Sequence, residues 1–193
     1  EELTSPSHFQ LLQLDKRINH HSGDIRDLDS IRSFLLEIEP DVVFHLAAQS
    51  YPQTSFYMSD ITMDTNTNGT MRLLEAIKEY GSKNILVHVC SSSEVFGRVP
   101  QEMIPIKEDT SFHPASPYAI SKVGTDLIGR YHSEAYKQKI LITRMFTHTG
   151  PRRGDVFVES TFAKQIAMIE ANQIEPIVKV GNLESLRTFA DVR

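Results

Sequence analysis

Ile85-Leu-Val-His-Val-Cys-Ser-Ser-Ser-Glu-Val-Phe-Gly97 is an apolar run that breaks abruptly into three hydroxyls and a carboxylate. Residues 85–90 are too few for a helix and rich in β-branched types, which predicts a strand. Apolar side chains fill both alternating sets of positions, so the strand has no wet face. Working outward, residues 17–22, 41–48, 140–146 and 177–180 read as strands too. Between them lie segments of helical period. Ile31, Phe34, Leu35 and Ile38 predict a helix over 28–39, capped by Asp27 and stopped by Pro40. Met71, Leu73, Leu74, Ala76 and Ile77 predict a helix over 60–80 that ends at Gly81. Residues 117–137 and 156–172 complete the set. Strands apolar on both faces and spaced by helices predict an α/β fold, a doubly wound parallel sheet covered on both sides. Ligands of such folds sit beyond the carboxyl ends of the strands. That rule directs attention to 23–25, 46–50, 90–94 and 146–150.

The chain has 193 residues, 40% hydrophobic and 23% charged, enough for one domain with a substantial core. A net charge of −5 gives no electrostatic footprint for nucleic acid. No apolar run is long enough to span a bilayer, and the opening Glu1-Glu2-Leu3-Thr4 is not a signal peptide. Cys90 is the one cysteine, so no disulfide framework exists and a reducing, cytoplasmic setting is expected. Eight histidines invite a metal reading. His20 and His21 are adjacent and point to opposite faces of a strand, and no His-Glu-x-x-His or cysteine pair occurs, so no metal site is expected.

Two stretches carry chemistry. In Ser116-Pro-Tyr-Ala-Ile-Ser-Lys122, Tyr118 and Lys122 are four apart and share a helix face. Ser116 suits the N-cap and Pro117 the first turn. The helix dipole and the neighbouring ammonium should lower the Tyr118 phenol pKa and make it a proton acceptor. Taken alone, such a pair also fits an ordinary surface helix. The second stretch, Ser91-Ser-Ser-Glu94, follows directly on a predicted strand. A hydroxyl there can hold a substrate oxygen and Glu94 can act as a general base; a polar strand-to-loop turn is the bland alternative.

In this order and separation, the two stretches resemble the extended short-chain dehydrogenase/reductase family, the NAD-dependent epimerases and dehydratases. Three more motifs agree: His21-Ser-Gly-Asp-Ile-Arg-Asp27, Phe44-His-Leu-Ala-Ala-Gln-Ser50 and Asn66-Thr-Asn-Gly-Thr70. The resemblance implies a Rossmann-like fold. Within the family the likeness is nearest to the nucleotide-sugar 4,6-dehydratases that act on GDP-mannose, through Leu46–Ser50, Ser91–Glu94 and Thr149-Gly-Pro-Arg-Arg-Gly154. It implies Ser92, Glu94, Tyr118 and Lys122 as catalytic residues. It implies NADP, with NAD as the alternative, held by Asp24, Ile25, Leu46, Ala47, Ala48, Gln49, Ser50, Ile61, Tyr118, Lys122, His148 and Arg153. Substrate contacts are implied at Ser93, Glu94, Thr147 and Arg187, where a guanidinium suits a diphosphate. The implied partner is a nucleotide sugar, GDP-linked by preference. A homodimer or homotetramer is also implied, with helices 60–80 and 117–137 pairing across a two-fold axis.

The chain departs from the pattern in places. No Gly-x-x-Gly-x-x-Gly occurs, and the first βαβ unit that would hold it is expected to precede Glu1. Residues 1–150 read as a Rossmann-like domain without that unit, and 151–193 as the start of a small substrate-binding portion. The fold is thus expected to be incomplete at both ends. Thr147 stands where the dehydratases usually have asparagine. Residues 162–167 and 175–183 look more like the related 4-keto-6-deoxy-sugar reductases. A reductase, an epimerase or decarboxylase of the same family, and a non-catalytic module that kept the fold are the competing readings.

Overall fold

Alternating apolar runs and amphipathic segments fold into two compact units, residues 22–146 and residues 1–21 with 147–193. The computed structural model describes residues 5–81, 85–184 and 186–193; Glu1–Thr4 of the acidic opening lie outside them.

In the larger unit, β1 (Val42–His45), β2 (Leu86–Cys90) and β3 (Lys139–Thr143) form one sheet in the order β1-β2-β3. Both pairings are parallel, with Val43 beside Val87 and Val87 beside Ile140. Helix α2 (Leu28–Ile38) follows the short α1 (His8–Leu11) of the other unit and precedes β1. Asp27 caps it, accepting from Asp29 N and Ser30 N, and the chain leaves through Glu39 at φ +47°. Between β1 and β2 run α3 (Pro52–Ser55), α4 (Ser59–Met63) and α5 (Gly69–Tyr80), with a π-turn over Asp64–Asn68. The helix expected over 60–80 is therefore interrupted. At this turn α6 (Pro117–Tyr136) comes so close that a Cβ on its Gly124 would lie 2.7 Å from Thr67 Cγ2. The end of α5 is as expected, on Gly81 at φ +66°. Helix α6 (Pro117–Tyr136) links β2 to β3, with Ser116 Oγ accepting from Ala119 N at 3.0 Å.

The core lies on one face of this sheet. Ile31 and Leu35 of α2 and Leu73, Leu74 and Ile77 of α5 pack on Val87 and Val89 of β2. Within this unit the helices cover that face. Positions of the opposite face stay exposed: Phe44 at 71%, Leu141 at 54% and Leu86 at 41%. The architecture is α/β and Rossmann-like, parallel strands joined by helical crossovers. The helices of this unit pack on one set of the strands' alternating apolar positions.

In the smaller unit, β4 (His148–Thr149) pairs in parallel with β5 (Ala190–Asp191), and α7 (Val158–Glu170) runs between them. Gly150 lies close to β5, where a Cβ would meet Val192 Cγ2 at 2.4 Å unless that side chain shifted. Two expected strands are absent. Residues 17–22 run without a ladder partner. Residues 177–180 are tied instead to α7, where the Gln165 side chain accepts from Lys179 N at 2.7 Å and donates to Lys179 O at 3.1 Å. A polar side chain thus satisfies the backbone that a neighbouring strand would otherwise hold.

Candidate functional site

Strand β2 ends at Cys90 and the chain turns at once into a 3-10 helix, Ser93–Phe96. Ser92 makes the turn: its backbone stays extended and its Oγ accepts from Glu94 N at 3.2 Å. The segment is sewn to the end of β3, with Ser91 N donating to Thr143 O at 2.8 Å and Ser93 N to Met145 O at 2.9 Å. Gly97 closes the turn at φ +57°, and a Cβ there would come within 1.9 Å of His113 O.

Helix α6 brings its first two turns to the same place. Ser91 Oγ donates to Lys122 O at 3.1 Å, and Lys122 Nζ donates to Cys90 O at 2.8 Å. Tyr118, Lys122 and Ser92 are all buried. A hydrogen bond from Ser92 acts on the Tyr118 phenol, and the Glu94 carboxylate is close enough to influence it. Ser92, Glu94, Tyr118 and Lys122 therefore share the carboxyl end of β2, within one compact unit.

The electrostatics differ from the sequence reading in one respect. The Tyr118 pKa is raised, not lowered. Burial is the largest cause, the Ser92 hydrogen bond opposes it, and Cys90 and Glu94 add to the rise. The expected help from Lys122 is missing because its ammonium is turned to the Cys90 carbonyl. Burial also lowers the Lys122 pKa. His45, at the end of β1, is pushed down to about 4 by burial and then by Lys122 and His88. Its Nε2 lies 2.9 Å from Thr70 Oγ1, whose own hydrogen goes to Asn66 O at 2.6 Å. The neutral ring is thus the Nε2-protonated tautomer, donating to Thr70.

Asn66, the first residue of the Asn66–Thr70 motif, has a structural task that its sequence pattern alone does not reveal. Almost fully buried in the π-turn, it accepts from Gln49 N at 2.8 Å. Its amide donates to Gln49 O and to Ser121 Oγ, each at 2.9 Å. One side chain holds the β1 strand end to α6. Its signal was an amide in mid-helix, which disfavours helix unless it bonds elsewhere.

The other predicted residues divide between the units. Gln49 is partly buried, as is Ala48, while Leu46, Ala47 and Ser50 are exposed along the β1 end. Ile61 is on α4. Ile25 packs against Gly69, close enough that a Cβ there would sit 3.0 Å from its Cγ2. Asp24 is exposed and paired with Arg26 at 2.6 Å, which holds its pKa down at about 2. Ser93 belongs to the Glu94 turn. Thr147, His148, Arg153 and Arg187 belong to the smaller unit. There Thr147 O accepts from Ala190 N at 3.0 Å. Arg153 donates to His148 O at 2.6 Å, pairs with Glu159 at 2.7 Å and stacks 3.8 Å above Phe157. Arg187 is exposed.

A family model described as GDP-mannose 4,6 dehydratase matches residues 3–193. The chain belongs to the GDP-mannose 4,6-dehydratase family. Among relatives, the GDP-mannose 4,6-dehydratase of Vibrio cholerae serotype O1 is 36% identical over 180 residues, 93% of this chain and 48% of that protein. GDP-mannose 4,6 dehydratase 1 of Arabidopsis thaliana is 36% identical over 172 residues, 88% of this chain and 46% of that protein. The chain thus spans about half the length of these relatives. A structure of RMD from Pseudomonas aeruginosa complexed with NADPH superposes with a TM-score of 0.84 at 31% identity, covering 94% of this chain and 65% of that one. DesIV, a dTDP-glucose 4,6-dehydratase from Streptomyces venezuelae with NAD and TYD bound, gives 0.69 at 30% identity, covering 75% of this chain and 43% of that one. The match to the GDP-mannose 4,6-dehydratase family takes in residues of both compact units. Among the described residues, no helix is long and apolar enough to cross a membrane, and no three His, Cys, Asp or Glu side chains could hold a metal.

Proposed function

We propose that the protein is a nucleotide-sugar 4,6-dehydratase that converts GDP-mannose to GDP-4-keto-6-deoxy-mannose. One observation carries the reading: a buried phenol, a buried ammonium, a hydroxyl and a carboxylate meet at the end of β2.

The cofactor in this reading is NADP, with NAD as the alternative. RMD holds NADPH and DesIV holds NAD, and the residues here fit such a group. Lys122 commits one N–H to Cys90 O, and its remaining donors suit the hydroxyls of a nicotinamide ribose. Asn66 fixes the Gln49 backbone beside which the cofactor would run. When bound, the nicotinamide supplies a hydride acceptor at C4 and a hydride donor at C6, so redox balance closes within a turnover.

The chain's own groups move the protons. Ser92 holds the sugar O4 and Tyr118 takes the O4 proton as C4 becomes a ketone. That ketone acidifies C5–H. Glu94 removes the C5 proton and returns it to O6, which leaves as water. Hydride returned to C6 and a proton delivered to C5, balanced by release of the O4 proton held on Tyr118, complete the 6-deoxy sugar and restore the phenolate. Net change is the loss of one water.

The smaller unit would carry the sugar contacts Thr147 and Arg187 and the cofactor contacts His148 and Arg153. A homodimer or homotetramer, built through α5 and α6, belongs to the same reading, as does a cytoplasmic setting. The test is incubation of the full-length protein with GDP-mannose and a catalytic amount of NADP. A 4-keto-6-deoxy product without net NADPH is expected. In a parallel incubation with NADPH and a 4-keto-6-deoxy sugar, stoichiometric oxidation of NADPH would point to the reductase instead.

A further inference from the structure

One turn beyond Lys122 on α6, Asp126 is fully buried. A carboxylate in that position is costly unless it is paired. Arg144, the first residue after β3, closes on it with two bonds, Nε to Oδ2 at 2.7 Å and Nη2 to Oδ1 at 3.1 Å. Its third nitrogen, Nη1, donates to Glu108 O at 2.6 Å. The guanidinium carbon also lies over two aromatic rings, 4.8 Å from the Phe112 centroid and 5.6 Å from that of Phe96. The two rings are themselves 6.1 Å apart.

Phe96 is the last residue of the turn that bears Glu94, and it is buried. The same turn is gripped from two other sides. Met145, next to Arg144, accepts from Ser93 N, and His113, next to Phe112, donates from N to Val95 O at 2.9 Å. Arg144 is thus the piece that touches both halves of the site. One edge of its guanidinium is bonded to the helix of Tyr118 and Lys122, and the same cation lies over the ring two residues from Glu94.

We infer that Asp126 and Arg144 form a positioning pair that sets the Glu94 carboxylate relative to the Tyr118–Lys122 helix, and so governs proton removal at C5 more than oxidation at C4. The inference rests on the dehydratase reading for the role of Glu94. A lysine at 144 keeps the charge for Asp126 but loses the planar fork that bonds both of its oxygens. Misplacement of a catalytic group by about 1 Å can cost about 10²-fold in rate.

The experiment uses the full-length enzyme with GDP-mannose deuterated at C4 or at C5. In Arg144→Lys, kcat should fall by about 10²-fold with KM little changed. The isotope effect from C5 should grow and that from C4 should shrink. Asp126→Asn should shift both in the same direction. A uniform slowing with an unchanged isotope pattern would make the pair merely structural and overturn the inference, as would unchanged turnover. Wild-type enzyme that yields no 4-keto-6-deoxy sugar would instead defeat the dehydratase reading. The positioning claim then stands or falls on crystal structures of full-length Arg144→Lys and Arg144→Met: displacement of Ser93–Phe96 relative to Tyr118 supports it, and superposition of that turn on wild type refutes it.

Discussion

Lys122 Nζ donates to the carbonyl oxygen of Cys90 at 2.8 Å, which ties the second turn of α6 to the last residue of β2. The bond places the ammonium at the strand end and not on the Tyr118 phenol. Proton transfer at Tyr118 therefore depends on burial and on Ser92 before any ligand binds.

A pH profile tests this. Tyr118 accepts a proton only when ionised, and its raised pKa means that the ionised form is lost as pH falls. The kcat/KM of the full-length enzyme should climb with pH through the neutral range. Lys122 has a lowered pKa, so its charge is lost at a lower pH than usual and bounds the profile on the alkaline side. Ser92→Ala removes the hydrogen bond that opposes the rise. It should move the ascending limb to higher pH, and an unmoved limb would separate Ser92 from the ionisation of Tyr118.

Glu94→Gln should separate the two halves of the reaction. Removing a general acid or base costs about 10²–10⁴-fold in rate. Dehydrated product should fall by that order, while hydride exchange at C4 persists, read by loss of deuterium from C4-labelled GDP-mannose into the cofactor pool. Equal loss of both activities would deny Glu94 a specific task at C5.

Acid stability turns on His45. Its neutral form is the folded form, with a pKa of about 4 against 6.5 for an unperturbed imidazole. Stability from this ring is whole above pH 6.5 and is lost as pH falls toward about 4, by up to roughly 3 kcal/mol. Urea unfolding of the full-length protein at pH 7 and near pH 4.5 should show the drop. His45→Gln, which can still donate to Thr70, should flatten it.

Asn66→Ala leaves Gln49 N and Gln49 O without the Asn66 side chain and Ser121 Oγ with its bond to Tyr118 O alone. Each buried unsatisfied group costs about 1–3 kcal/mol. The variant should unfold at lower urea and bind NADP more weakly, measured by calorimetry. Unchanged affinity would mean that the β1 strand end holds its shape without the π-turn.

Much of this arrangement is written locally. Asp27, Gly81 and Ser116 act as caps because short polar or flexible residues satisfy helix ends within four residues. The strands at 42–45 and 86–90 follow from apolar runs that only a buried ladder accepts. The positions of Ser92 and Tyr118 come from the strand end and the first turn of α6. What stayed hidden depends on long-range partners. The π-turn at Asp64–Asn68 reflects bonds from Asn66 to residues 17 and 55 positions away. The direction of the Tyr118 shift depended on where Lys122 points, which no four-residue spacing reveals. Residues 177–180 have a strand's composition, but Gln165 reaches their backbone first.

The most direct test of the central claim follows a label through one turnover. Full-length protein is given C4-deuterated GDP-mannose with catalytic NADP in ordinary water, and the product is read by NMR. Deuterium should appear at C6 of a 4-keto-6-deoxy sugar, with none accumulating in the cofactor. A product with deuterium still at C4, or a label that ends in the cofactor, would contradict it.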